Sequence, residues 1–146
     1  MKIVRATIDQ VKNAAILFDE YRQFYGERSD LKSAKAFLKL RLSLYESVLF
    51  LAEQDENIIG FIQLYPTFSS ISMQRAFILN DLYVKKDARG TGVGRALVEK
   101  VFHYCQEQHA SYVTLQTAPD NVNARRLYEK LGMEQDAYFN YVKYLN

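Results

Sequence analysis

Hydrophobic positions along the chain alternate between strand-like runs and helix-like stripes. Lys2 to Ala6 reads as a short first strand. Thr7 followed by Gln10 resembles a capping box that opens a helix at Ile8. Val11, Ala15, Phe18, Arg22 and Tyr25 then recur at helical spacing, with Gly26 as a natural stop. Ala34, Leu38, Leu42 and Tyr45 form one stripe of a second helix over Leu31 to Tyr45. Val48 to Ala52 is a compact apolar run, Asp55-Glu56-Asn57 a turn, and Ile58 to Tyr65 the next strand. Pro66 to Ser70 reads as a loop and Ser72 to Val84 as a long strand. After a glycine-rich turn, Val93, Leu97, Val101 and Cys105 predict a helix ending near Ala110. Tyr112 to Thr117 reads as a strand, Asn121 as an N-cap, and Gly132 as the stop of a short helix ending at Leu131. Tyr138 to Leu145 reads as a last strand. A hairpin followed by alternating strands and helices indicates an α/β (α+β) layer protein, and no linker breaks it, so residues 1–146 are expected to be one domain.

Composition narrows the chemistry. At 146 residues, 49% hydrophobic and 25% charged, the chain suits a soluble globular domain. A net charge of +2, with scattered basic residues, argues against a nucleic-acid partner. No run approaches the roughly 18 apolar residues of a membrane helix, and Met1-Lys2-Ile3-Val4-Arg5 lacks the apolar core of a signal peptide. Cys105 is the only cysteine, which excludes an intrachain disulfide and makes a reducing cytoplasm the default. With His103 and His109 it makes a poor ligand supply, so no metal is expected.

The turn Arg89-Gly90-Thr91-Gly92-Val93-Gly94-Arg95 carries the most specific chemistry. Glycines let backbone approach a ligand closely. The amides opening a helix lack intrahelical partners, and the helix dipole favours an anion there. A P-loop would need Gly-Lys-Ser/Thr where the chain has Gly94-Arg95-Ala96, and the dinucleotide spacing G-x-G-x-x-G fails at Arg95 and at Leu97. A turn that merely joins strand to helix is the plain alternative.

Arg89-x-x-Gly92-x-Gly94 resembles the Gln/Arg-x-x-Gly-x-Gly/Ala signature of the GNAT superfamily of acyl-CoA-dependent N-acetyltransferases. Leu82-Tyr83-Val84 before it matches the flank. The run Asn121-x-x-Ala124-x-x-Leu127-Tyr128-Glu129-Lys130-Leu131-Gly132-Met133 resembles the family's second characteristic segment. The resemblance covers essentially the whole chain. It implies a mixed, mostly antiparallel sheet of about six to seven strands, splayed between the fourth and fifth and flanked by about four helices.

It further implies acetyl-CoA as cosubstrate and a primary amine as acceptor, either a small molecule such as a polyamine or amino acid, or a peptide. Direct attack of the neutral amine on the thioester takes place in a ternary complex. Carried over residue by residue, the amides of Arg89, Gly90, Thr91, Gly92, Val93, Gly94 and Arg95 take the pyrophosphate. Leu82, Tyr83 and Val84 offer a strand edge to the pantetheine arm, and Asn121 takes a polar role toward it. Tyr128, a protonated phenol at neutral pH, lies against the cofactor and donates to the leaving thiolate. On packing grounds alone, Tyr128 shares a helical face with Ala124 and Leu131 and reads as a core aromatic.

The general base departs from the family pattern. Ile78 stands at one common glutamate position and Asn80-Asp81 at another. Asn80 can hold a water or an amine but takes no proton at neutral pH. Strand alternation turns Asp81 to the opposite face unless a bulge intervenes. Deprotonation otherwise falls to water or to another acid such as Glu20 or Glu27. Glu20, Tyr21, Tyr25 and Glu27 on the first helix mix acids with aromatics and suit a cationic amine, although a helical stripe is commonly core. The missing glutamate keeps a non-catalytic acyl-CoA-binding regulatory module as the alternative. Tyr138, Phe139, Tyr141, Val142, Tyr144 and Leu145 are too apolar on both faces for a free edge strand, so a homodimer is expected.

Overall fold

Strands with continuously buried centres build the sheet. β1 (Lys2–Arg5), β2 (Val48–Gln54), β3 (Asn57–Ser69) and β4 (Gln74–Val84) pair antiparallel in sequence order, and β5 (Val113–Thr114) adds parallel to β4. The helices are α1 (Val11–Phe24), α2 (Leu31–Ser43), α3 (Val93–Glu107) and α4 (Val122–Lys130). This computed structural model describes residues 1–146 and falls into two compact units, 1–116 and 117–146.

In the first unit, successive β2 residues serve opposite faces. Leu49 and Leu51 join Phe61 under α1 and α2, where Ala14, Ala15, Phe18, Ala34 and Leu38 are buried. Phe50 instead meets Tyr104 of α3, as does Phe77 of β4. β2 is therefore buried on both sides from Val48 to Ala52, which explains its continuous apolar run. Each large side chain removed from water in this way contributes roughly 1.5–3 kcal/mol. No helix is long and apolar enough to cross a membrane.

The structure corrects several boundaries. The first helix begins as a 3-10 turn at Ile8–Gln10, closed by the Thr7 amide donating to Gln10 Oε1, and becomes α-helical at Val11. Tyr45 is not on the buried stripe of α2. It follows the helix with φ 56° and is 86% exposed. Pro66 to Ser70 is not a simple loop, because β3 runs on to Ser69 opposite Gln74. β2 reaches only as far as Leu64, so Pro66 sits where β3 has a free edge and its missing N–H costs no ladder bond.

Tyr112 to Thr117 contracts to the two residues of β5. Tyr138 to Leu145 is not among the assigned strands. The sheet accordingly has five strands rather than six or seven, with the four helices expected.

Candidate active site

β4 carries most of the site, and its pairing shows why. β5 pairs only with Phe77 and Ile78, so β4 has no strand beside it on that edge from Leu79 to Val84. Its other edge is occupied, with Leu82 opposite Ile62, Tyr83 opposite Phe61 and Val84 opposite Gly60. The open stretch includes Leu82, Tyr83 and Val84, the residues proposed from sequence as a strand-like groove. An extended ligand with amide groups can add there as a strand would.

The chain leaves β4 through the glycine turn. Gly90 and Gly92 have φ of 79° and 90°, which L side chains rarely adopt, and a Cβ at either would face open space. Gly92 is the N-cap of α3 and brings no side chain to cap it. The first amide bonded within α3 is that of Ala96, to Gly92 O at 3.0 Å. The amides of Val93, Gly94 and Arg95 precede it and form an uncapped helix end suited to an anion. Thr91 Oγ1 donates to Ala88 O at 2.5 Å and tightens the turn.

The two arginines differ in setting. Arg95 pairs with Glu99 at 2.9 Å on the exposed face of α3. Arg89 donates from Nε to Val84 O at 2.9 Å, and its guanidinium lies over the rings of Phe24 and Tyr83 at 5.6 and 5.4 Å. Arg89 thus ties the end of α1 to the turn.

Gly60 is a site residue that the sequence reading missed. A Cβ there would lie 3.1 Å from Tyr83 O, 3.2 Å from Val93 Cγ1 and 3.3 Å from Leu97 Cδ1. Its absence lets α3 seat closely on β3 and β4, which sets the height of the turn. A lone glycine inside an apolar strand run was the available signal. Gly60→Ala is expected to lower stability by about 1–3 kcal/mol through overpacking, read by thermal unfolding, and to weaken acetyl-CoA binding alongside.

A β-bulge decides the orientation of the Asn80-Asp81 pair. Gln63 faces Asp81 and Leu64 faces Leu79, so Asn80 is the extra residue. The bulge breaks the alternation that would have separated the two side chains: Asn80 Nδ2 donates to Asp81 Oδ1 at 3.1 Å. Asp81 is buried, whereas Asn80 is exposed. Gln63, wholly buried on β3, donates from Nε2 to Asp81 Oδ2 at 2.7 Å. The Tyr21 phenol of α1 lies close enough to the same carboxylate to feel its charge. Gln63 Oε1 is buried without a hydrogen-bond partner in the protein. Gln63 and Tyr65 were also missed from sequence; a polar Gln63 inside the apolar run from Ile58 was the signal.

Burial and the neighbouring Asp81 charge raise the Tyr21 phenol well above its ordinary range and push Tyr65 up to about 12. Both phenols remain protonated donors well beyond neutral pH. A raised folded-state pKa stabilises the fold fully below the unfolded value near 10, and that contribution is lost as pH rises through the folded one. Native protein is therefore expected to lose stability above pH 10. Tyr21 and Tyr65 should ionise late in an absorbance titration, and Tyr65→Phe should remove one of these late steps.

Tyr21 also joins α1 to this cluster through its ring, 5.1 Å from Tyr25, 5.5 Å from Phe61 and 5.9 Å from Tyr83. The proposed acceptor residues therefore divide. Tyr21 and Tyr25 belong to the aromatic wall beside Asp81. Glu27 is exposed and pairs with Arg22 at 3.8 Å, and Glu20 is half-buried on α1. The neighbouring Asp19 has a structural role: it accepts from Ser29 Oγ at 2.6 Å and the Asp30 amide at 2.7 Å, fixing the connection to α2. Burial pushes the Cys105 thiol up to about 12, which makes it a poor nucleophile.

In the second unit, Asn121 is the N-cap of α4, but its side chain donates to Thr117 Oγ1 at 3.2 Å instead of capping the helix. Tyr128 lies half-buried on α4. Leu131 and Gly132 close that helix, Gly132 with φ 95°.

Comparison with known proteins agrees with this architecture. The model of the acetyltransferase (GNAT) family matches residues 14–133. An uncharacterized N-acetyltransferase of Bacillus subtilis, YhfO, is 48% identical over 95% of this chain and 93% of its own length. A probable acetyltransferase of Haemophilus influenzae is 36% identical over 68% of this chain and 69% of its own length. The crystal structure of a probable acetyltransferase superposes with a TM-score of 0.96 at 40% identity, covering 100% of this chain and 99% of that one. With the open β4 edge running into an uncapped, glycine-led helix, these likenesses establish that the chain belongs to the acetyltransferase (GNAT) family.

Proposed function

We propose that this chain is an acetyl-CoA-dependent N-acetyltransferase acting on a primary amine, small or peptidyl, in a ternary complex, with both units serving one catalytic domain in the cytoplasm. The observation that carries the reading is the continuity of the unpaired β4 edge, Leu79 to Val84, with the uncapped start of α3. An edge that can pair with amides and a helix end that favours an anion match the two chemical parts of coenzyme A, a pantetheine arm and a pyrophosphate. Residues Arg89 to Arg95 would hold the pyrophosphate through backbone amides. Leu82, Tyr83 and Val84 would pair with the pantetheine, with Asn121 as a further polar contact.

Asp81 is the proposed base, with Asn80 positioning the amine or an intervening water. The ammonium loses one proton toward Asp81, and the neutral nitrogen attacks the thioester carbonyl carbon. The tetrahedral intermediate collapses with cleavage of the carbon–sulfur bond. The sulfur takes a proton from Tyr128, and the nitrogen gives up its second proton as the amide forms. Overall one proton goes to solvent and one to the thiol. The carboxylate of Asp81 and the unpartnered Gln63 Oε1 make the cluster rich in acceptors, and Tyr21 and Tyr25 supply aromatic faces, which together suit a cationic amine.

Tyr128→Phe is expected to keep acetyl-CoA affinity and lower turnover about tenfold or more. Unchanged turnover would remove Tyr128 from the mechanism. The reading as a whole is tested by incubating the protein with acetyl-CoA and a panel of polyamines, amino acids, aminoglycosides and basic peptides while following thiol release. Amine-dependent thiol release supports it. Acetyl-CoA binding with no release for any amine would favour the non-catalytic acyl-CoA module.

A further inference from the structure

A groove of about 730 Å³ opens between the start of α1 and one face of α2. Its lining is of two kinds only. Ile8, Val11, Leu31 and Ala36 make it apolar. Lys12, Lys32, Lys35 and Lys39 make it basic, and no acid lines it. Ile8 and Leu31 are 46% and 37% exposed, so the apolar part is open to a partner. Lys32, Lys35 and Lys39 are spaced i, i+3, i+7 and share one face of α2, in a row about 10 Å long. Lys2, Arg22, Arg41 and Arg95 all pair with acids, whereas the four groove lysines make no ion pair. Asp30, close to Lys32 in sequence, is engaged as the N-cap of α2, where it accepts from the Ser33 amide at 3.2 Å. None of these groove residues is among those assigned to coenzyme A or to the acceptor.

We propose that this groove docks an acidic amphipathic helix of a partner protein, with apolar side chains set between α1 and α2 and carboxylates along the lysine row. Charge complementarity selects the occupant. Acids at i, i+3 or i+4, and i+7 lie on one face of a helix, so a partner helix laid along α2 matches the spacing of Lys32, Lys35 and Lys39. A fatty acid carries one carboxylate at one end and leaves most of the row unmatched. Nucleic acid is bound by stacking on aromatic rings and by arginine forks, and the groove holds neither. A membrane is entered by protruding apolar side chains, not received in a concavity. Exposed ion pairs contribute little singly. Burial of the partner's apolar side chains therefore supplies most of the affinity, and the lysines set orientation and partner choice.

The probe is a fluorescein-labelled helical peptide with leucines at i, i+3 and i+7 and glutamates at i+1, i+4 and i+8. Anisotropy should show saturable one-to-one binding to the wild-type protein at micromolar concentration, weakening as salt rises. K32E/K35E/K39E should bind it at least about tenfold more weakly and should prefer the same peptide with lysine in place of glutamate. If that variant fails to fold, K32A/K35A/K39A, which keeps a strong helix former at each position, takes its place. No binding by the wild type, or binding that the triple substitution leaves unchanged, overturns the proposal. Tighter binding to phosphatidylglycerol vesicles or to oligothymidylate than to the peptide also overturns it. So does a wild-type dimer, seen by light scattering, that the triple variant dissociates, because it seats a second copy in the groove.

Discussion

Asp81→Asn is expected to lower turnover about 100-fold near neutral pH, in line with the loss of a general base. The substitution keeps the shape but places an amide where Gln63 and Asn80 both donate, beside the Tyr21 phenol. Two groups of donors then face each other, so a fall in stability of about 1–3 kcal/mol accompanies the catalytic loss. The two effects separate by pH. If Asp81 accepts the proton of the ammonium, the variant regains rate as pH rises toward the amine's own pKa, because the acceptor then arrives neutral. If Asp81 only braces the bulge, the deficit follows thermal stability and has no such recovery. Acetyl-CoA affinity stays near wild type in either case, since the carboxylate is not among the groups assigned to coenzyme A. Kinetics across pH, with calorimetry for the cosubstrate, read all three quantities.

Gly92→Val is expected to reduce acetyl-CoA affinity at least about tenfold, the equivalent of some 1.4 kcal/mol. The residue has φ 90° at the N-cap of α3. A left-handed conformation costs an ordinary L residue roughly 1–2 kcal/mol, and more for a β-branched one. The turn would relax toward negative φ and swing the amides of Val93 to Arg95 away from their common direction. The space about an added Cβ at Gly92 is open, so the cost comes from backbone strain and not from a clash. Gly60→Ala offers a contrast. There a Cβ collides with both α3 and β4, so stability and binding should fall together.

Much of this was legible in the sequence because it is local. The stripe Val93, Leu97, Val101 and Cys105 is fully buried on α3, as its spacing indicated. The glycine turn and the Asn121-to-Gly132 segment stood out through their resemblance to the two GNAT signature segments. What the sequence hid depends on register between strands. The Gln63–Asp81 bond joins residues eighteen positions apart, and it exists only because the bulge at Asn80 shifts the pairing of β3 with β4. Nothing in the local pattern of β4 marks that extra residue. Nor does the sequence mark the place of the Arg89 guanidinium, which rests on Phe24 and Tyr83, a contact made across 65 positions in the first case. Pro66 suggested a loop because proline loses a donor, and the pairing shows that the donor was dispensable at that edge.

The central claim is that the β4 edge and the turn from Arg89 to Arg95 form the seat of coenzyme A. Calorimetric titration of the purified protein with acetyl-CoA tests it most directly. Saturable one-to-one binding by the wild type, weakened by Gly92→Val and retained by Tyr128→Phe, is the predicted result. An absence of binding by the wild type, or binding indifferent to Gly92→Val, would contradict it.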